Sequence, residues 1–291
     1  MTTKPNTPTA RETTHAVTGI RQAFPRGSPR NFRSHPPVAS AHYKCGVELD
    51  EYLRMAEVEQ SHWWYRSTRQ VLTQILQPLL PTPAEGRLTL LDAGSGTGAT
   101  GAWMMDHGEV IALDFEPRAL VLYEQLHPGS QRIAGDVSAI GLADESVDVV
   151  LCVTVLCHQS IASPAAAVAE LARVVRPGGV VCLMEPGVRR LYRAHDRVTH
   201  TARRFSRNDL ARMLSGAGLA VLSSTGAYSF LVPPAWVKAK LERGRIASDL
   251  DRNQGGLGGS LELAARVERA LLRRFSLPAG LSVIAVGRKP A

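Results

Sequence analysis

The sequence predicts an α/β protein built on a parallel sheet with helices on both faces, and three observations carry that prediction. The chain has 291 residues of which 44% are apolar, ample for a sizeable core. Its central block alternates short, β-branched apolar runs with segments of helical period. Several of those runs end in an acid or run into a glycine-rich turn, as at Asp92, Asp114 and Asp136.

In chain order, residues 1–44 are rich in Thr, Pro, Arg and Ser without apolar periodicity and read as a disordered basic N-terminal extension. A single domain is expected over 47–290. Leu49, Tyr52, Leu53, Ala56 and Val58 fall near one face of a first helix, and 67–80 reads as a second, stopped by Pro81 and Pro83. Strands are expected at 88–92, 110–114, 132–134, 147–153 and 180–185, with helices at 97–107, 117–127 and 164–175. Then follow a Ser206-capped helix at 207–215, a sixth strand at 219–224, and a final strand at 281–286. The long connection at about 230–275 contains a basic helical piece to residue 245, a glycine run at 255–259 and an amphipathic helix at 261–275. A structureless connection of that length would be improbable, so it reads as a helical lid or an oligomerisation element of a homodimer.

Charge is unevenly placed. Residues 1–44 hold seven Lys and Arg against Glu12, six of the eight net positive charges, so the remainder is nearly neutral and offers no net-charge argument for nucleic acid. No apolar run approaches the ~20 residues of a membrane span, and no membrane partner is expected. The cysteines, Cys45, Cys152, Cys157 and Cys182, show no paired metal spacing, so no metal site is expected. A reduced, cytoplasmic protein is the economical reading.

The stretch 88–98, LTLLDAGSGTG, is a strand followed by a turn with glycine at 94, 96 and 98. Such backbone can approach a ligand closely, and a helix after it would present free N–H groups. Gly94, Gly96 and Ala99 fit a dinucleotide fingerprint with Asp114 as the ribose acid. The same glycines fit a tighter acid-x-G-x-G-x-G loop. Asp92 would repel a pyrophosphate but attract a sulfonium and an amino group, which favours the second fit.

The succession LDAGSGTG, VIALD, GDVSAIGLADESVDVVLC and ELARVVRPGGVVCLMEPG resembles the motifs of class I S-adenosylmethionine-dependent methyltransferases, covering 88–187. The resemblance implies a three-layer, Rossmann-like, seven-stranded sheet whose last strand is antiparallel, with N-terminal helices and a helical insertion before the last strand. It implies S-adenosyl-L-methionine as cofactor. Asp92, Gly94, Ser95, Gly96, Thr97 and Gly98 would hold its methionine part, Asp114 the ribose, and Asp136 with Val137 the adenine; Phe115, next to Asp114, and Cys152, at the end of the fourth strand, are further cofactor-binding candidates. Residues 49–69, and the later succession of Leu191, His195, Asp196, His200 and Arg203 to Ser206, resemble a subgroup with many small-molecule enzymes of carbohydrate and natural-product gene clusters.

Methyl transfer onto a nucleophile leans on alignment, and a base is needed only where the acceptor must lose a proton. His158, after the fourth strand, and His195, with Asp196 beside it to orient the ring, are the candidate bases; His200 is a third. For the acceptor, the aromatic run Trp63, Trp64, Tyr65, the adjoining Arg66, the later Arg204 and Trp236 are the candidates. Adjacent aromatics cannot all face one core, so at least one should line a cleft, and an arginine can take an anionic acceptor group bidentately. A small-molecule acceptor is expected, with nucleic acid disfavoured. An RNA or protein methyltransferase, supported only by the basic tail, and a cofactor-binding protein without transfer are the alternatives.

Overall fold

The computed structural model describes residues 49–83, 86–191, 194–241 and 258–291. Two helices lead, α1 (Leu49–Val58) and α2 (Trp63–Leu76), the latter running into a 3-10 turn at Gln77–Leu79. The sheet then opens with β1 (Leu88–Ala93), β2 (Gly108–Asp114), α3 (Pro117–Leu126), β3 (Gln131–Ala134) and β4 (Val147–Val153). It continues with α4 (Pro164–Val174), β5 (Val175–Pro186), the short α5 (Ala194–Val198), α6 (Arg207–Gly216) and β6 (Ala220–Ala227). After a 3-10 turn at Ser229–Leu231 come α7 (Val232–Leu241), α8 (Gly258–Leu272) and β7 (Ser282–Arg288). The extension at 1–44, Arg193, the end of the basic piece beyond Leu241 and the start of the glycine run at 255–257 lie outside the described residues.

The strand order is β3-β2-β1-β4-β5-β7-β6. β1 to β5 pair in parallel, and β7 lies antiparallel between β5 and β6. The seven-stranded sheet with its reversed last strand is thus as expected. The central strands are apolar on both faces because both faces are covered. Leu91 and Ala93 of β1, Val150 and Cys152 of β4, and Leu183 of β5 enter one core with Leu171 of α4 and Leu210 and Leu214 of α6. Their alternates Leu90, Val149, Leu151 and Cys182 enter the other, with Leu72 and Leu76 of α2 and Ala235 of α7. Each fully buried Leu or Val side chain contributes roughly 1.5–3 kcal/mol.

One expected element is absent. Residues 97–107 form turns and a 3-10 helix, Ala102–Asp106, instead of an α-helix. Gly98 sits at φ 91°, which a helix cannot accommodate, and Gly101 is held where a Cβ would lie 1.9 Å from an Asp92 carboxylate oxygen. The aromatic run, by contrast, is helical sooner than expected. His62 caps α2, its Nδ1 accepting from the Trp64 amide at 3.3 Å, which starts the helix at Trp63.

Candidate active site

The order reversal between β1 and β4 leaves a crevice at the carboxyl ends of the strands, the place where such sheets take ligands. A cavity of about 710 Å³ opens there. One end is the β1 turn. The amides of Gly94 and Ser95 both donate to the Leu113 carbonyl, at 2.7 and 2.9 Å, which lays the turn across the end of β2. Asp114, at the end of β2, accepts from the Gly96 amide at 2.7 Å on one oxygen and from the Glu116 amide at 2.9 Å on the other. Burial raises its pKa, and those amide bonds oppose the rise. The Phe115 amide bonds to it as well, and the carboxylate stands on the cavity wall, where its remaining acceptor capacity can meet a ligand hydroxyl.

Phe115 follows, 47% exposed on the cavity wall. Asp136 and Val137 close this end, the Ser138 amide bonding to Asp136 Oδ1 at 2.7 Å in a tight turn. Ser95 Oγ is buried on the wall with no hydrogen-bond partner, an orphan that a ligand group could satisfy. Gly96, at φ 53°, has only the Tyr52 ring within 4 Å of where a Cβ would stand. A bare backbone turn, a carboxylate on the wall, an exposed ring and a second acid fit S-adenosylmethionine. Gly94, Ser95, Gly96 and Thr97 would hold its amino-acid portion, Asp114 its ribose, and Phe115, Asp136 and Val137 its adenine.

Three expected cofactor residues lie elsewhere. Asp92 is 1% exposed and points behind the turn, with Oδ2 lacking a partner; burial, then the charge of Asp114, pushes its carboxyl up to about 7. Its carboxylate therefore does not face the cavity and, contrary to expectation, neither repels a pyrophosphate nor attracts a sulfonium there. The missing α-helix after the turn supplies the better argument, since a pyrophosphate site of the dinucleotide type relies on that helix N-terminus. Gly98 packs against the His127 ring instead of the cavity. Cys152 points into the sheet core by strand alternation, 0% exposed.

Residues not singled out from sequence hold the turn from behind. Glu59, 0% exposed just after α1, accepts from Thr97 Oγ1 at 2.5 Å, and burial pushes its carboxyl up to about 8. Arg69 of α2 donates to the carbonyls of Glu59 at 3.1 Å and Ala99 at 2.7 Å. The N-terminal helices are thereby fastened to the turn. Tyr52 of α1 also lines the cavity, and burial beside Asp114 and Glu116 drives its phenol well above the usual range.

The other end of the cavity is aromatic and imidazole-lined. His62, Trp63, Trp64 and Tyr65 all reach it, Trp63 while also packing in the core. Trp64 lies 4.3 Å, centroid to centroid, from Tyr228, whose hydroxyl is 3.1 Å from Thr68 Oγ1 and whose amide donates to Glu268. His158 lines the cavity, and burial, then the charge of His200, lowers its pKa, which keeps the ring neutral at pH 7. His195 lines the same wall from α5. Thr154, at φ 56°, and the amides after it are shaped by Glu185 at the end of β5, which accepts from Val155, Leu156 and Cys157 at 3.0, 2.8 and 3.1 Å. Glu185 is fully buried, and that burial raises its pKa to about 7.

Here too the structure corrects expectations. Asp196 does not serve His195. It forms a buried bidentate pair with Arg204, at 2.7 and 3.0 Å, while Arg204 Nη1 donates to the Gly187 carbonyl. Arg204 touches the cavity, but its charge is already neutralised, so it is a wall and not an anion clamp. Arg66 lies off the cavity, pairing with Glu262 of α8 at 3.1 Å. Trp236 is 38% exposed on the outside of α7, whereas Lys238 of that helix and Leu261 of α8 reach the cavity.

Residues 91–183 match the family model of a methyltransferase domain. Malonyl-[acyl-carrier protein] O-methyltransferase of Pectobacterium atrosepticum is 34% identical over 125 residues, 42% of this chain and 49% of the relative. The human thiol S-methyltransferase TMT1B is 37% identical over 111 residues, 36% of this chain and 45% of that protein. The chain spans about half the length of the curated relatives it matches. Among solved structures, a Thermotoga maritima S-adenosylmethionine-dependent methyltransferase superposes with a TM-score of 0.50 at 20% identity, over 83% of this chain and 95% of that one. The Haloferax volcanii protein solved with the Trm112 methyltransferase activator gives 0.52 at 21% identity, over the same shares. With that match and the strand order, residues 91–183 are a methyltransferase domain of the class I, S-adenosylmethionine-dependent type.

Proposed function

We propose that the protein transfers a methyl group from S-adenosylmethionine to a small, largely apolar acceptor held among Trp63, Trp64 and Tyr65. The observation that carries this reading is that one cavity is lined both by the cofactor residues, Gly94 to Thr97 with Asp114 and Asp136, and by the aromatic run with His158 and His195. Bound S-adenosylmethionine supplies an electrophilic methyl on a sulfonium. The chain's own part is alignment: the backbone-tethered Asp114 fixes one partner, and the rings of Trp63 and Trp64 exclude water and orient the other. Where the acceptor carries a proton, the neutral ring of His158 can take it on a nitrogen.

The relatives are named for different acceptors, the oxygen of malonyl-[acyl-carrier protein] in one case and the sulfur of a thiol in another, so the acceptor atom is not transferred from them. The aromatic lining supports a small molecule such as a natural product or metabolite. Calorimetry with S-adenosylmethionine and with NAD tests the donor half; tight NAD binding without S-adenosylmethionine binding would overturn it. Methyl-transfer assays with labelled donor against apolar thiols, phenols and carboxylic acids test the other half, and turnover only on RNA or protein would refute the small-molecule reading.

A further inference from the structure

The outer face of α8 is apolar at helical spacing. Leu263, Val267 and Leu271 recur every four residues and are 63%, 55% and 46% exposed, and Phe275 extends the stripe at 64%. On α7, Trp236, Val237 and Leu241 are likewise exposed, at 38%, 59% and 75%. Scattered surface leucines need no explanation, but six large apolar side chains on two helices bordering one cavity, with Phe275 just beyond the second, do.

The charges sort by sign. Lys240, Arg266, Arg273 and Arg274 are exposed on these two helices and the turn after α8. The acids of the same elements turn inward. Glu268 is buried and accepts from the Tyr228 and Ser229 amides, and Glu262, half-buried, pairs with Arg66 and Arg266. A second copy laid on this face would set cation against cation. We infer that the outer faces of α7 and α8 dock on an anionic lipid bilayer. The apolar stripe enters the acyl boundary, Trp236 sits at headgroup depth, and the Lys and Arg heads reach lipid phosphates past their apolar stems.

Among the described residues no helix is long and apolar enough to cross a membrane, so the contact is peripheral. Because Lys238 of α7 and Leu261 of α8 also wall the cavity, docking sets that wall beside the bilayer. Entry of a lipophilic acceptor by that route rests on the proposed function; docking does not.

Flotation of the full chain with lipid vesicles tests it without turnover. Binding should be at least about tenfold stronger to vesicles containing roughly a third phosphatidylserine than to pure phosphatidylcholine, and should weaken as salt is raised. The double variant Leu263→Gln/Leu271→Gln should lose about tenfold of that partition while keeping its circular-dichroism melt and its calorimetric affinity for S-adenosylmethionine, since both side chains are exposed. Arg273→Gln/Arg274→Gln should lose binding to the anionic vesicles alone. Undiminished flotation of both variants would mean that the basic residues 1–44 bind the lipid, and the inference would fall. It would equally fall if the wild type ignored vesicles but sedimented as a dimer that the leucine substitutions dissociate.

Discussion

The two ends of the cavity are built by different means. The cofactor end is made of backbone: the Gly94 and Ser95 amides on Leu113, and the Gly96 and Glu116 amides on Asp114, all within some twenty-odd residues of one another. The acceptor end is made of side chains from α2, the turn after β4, α5, α7 and α8, held by other side chains such as Asp196 on Arg204. Backbone tethers tolerate sequence change nearby, whereas a wall of interlocking side chains fails when one member is removed. The end proposed for the donor therefore rests on local backbone geometry, and the end proposed for the acceptor on tertiary packing.

The comparison can be broken most severely at the buried pair. Asp196→Ala leaves the Arg204 guanidinium buried without its carboxylate and should destabilise the fold by about 3–5 kcal/mol in denaturant melts, with Asp196→Ala/Arg204→Met recovering much of the loss. A loss below about 1 kcal/mol would show that the pair is not what holds the acceptor wall. At the other end, Asp114→Ala removes the carboxylate that accepts from the Gly96 and Glu116 amides and is proposed to take the ribose hydroxyls, and it should weaken S-adenosylmethionine binding by about 2–4 kcal/mol in calorimetry. Unchanged affinity would mean that the acid merely shapes the turn.

For chemistry, His158→Ala should lower turnover at saturating donor about a hundredfold with a proton-bearing acceptor, and His195→Ala only a few-fold. Equal, small losses would leave alignment as the whole of catalysis. A smaller effect concerns pH. Glu59, Asp92 and Glu185 have carboxyls raised by burial to about 8, 7 and 7, so the folded state holds protons that the unfolded state has released. The stability they contribute is fully present below the usual carboxylate range and is lost as pH rises through 7 to 8. His127, lowered to about 4, acts oppositely but only below its ordinary value of 6.5. Between pH 6.5 and 8 the protein should therefore lose on the order of 3 kcal/mol, and Glu59→Gln should flatten that slope by roughly half. A slope unaltered in the variant would put the titration elsewhere.

The cofactor end was legible in sequence because its logic is local. A strand, three glycines and an acid ending the next strand state their own geometry, and six of the nearby candidates, Gly94, Ser95, Gly96, Thr97, Asp114 and Phe115, lie on the cavity wall. What failed was direction. Asp92 has the right identity, yet strand geometry turns it behind the loop, and no spacing rule reveals that Gly101 will pass over it. The same limit explains Arg66, Arg204 and Trp236. Their types suit ligand binding, but their partners Glu262 and Asp196, and the solvent beside α7, are set by tertiary packing across as many as 196 residues. Glu59 and Glu185 carried no sequence signal, since a lone glutamate in an apolar context looks like any other until the amides or hydroxyl it satisfies are seen.

The position of β7 has a consequence for the nascent chain. Its residues pair with β5 on one side, Leu183 opposite Ala285, and with β6 on the other, Thr225 opposite Ile284, although both neighbours precede it in translation order. Until Ser282–Arg288 has been made, neither β5 nor β6 has, along that edge, the strand with which it pairs in the folded protein. Such edges invite pairing with the wrong chain. Solubility during synthesis should thus depend on how soon Ser282–Arg288 follows, and a pause in the stretch between β6 and β7 would prolong the exposure.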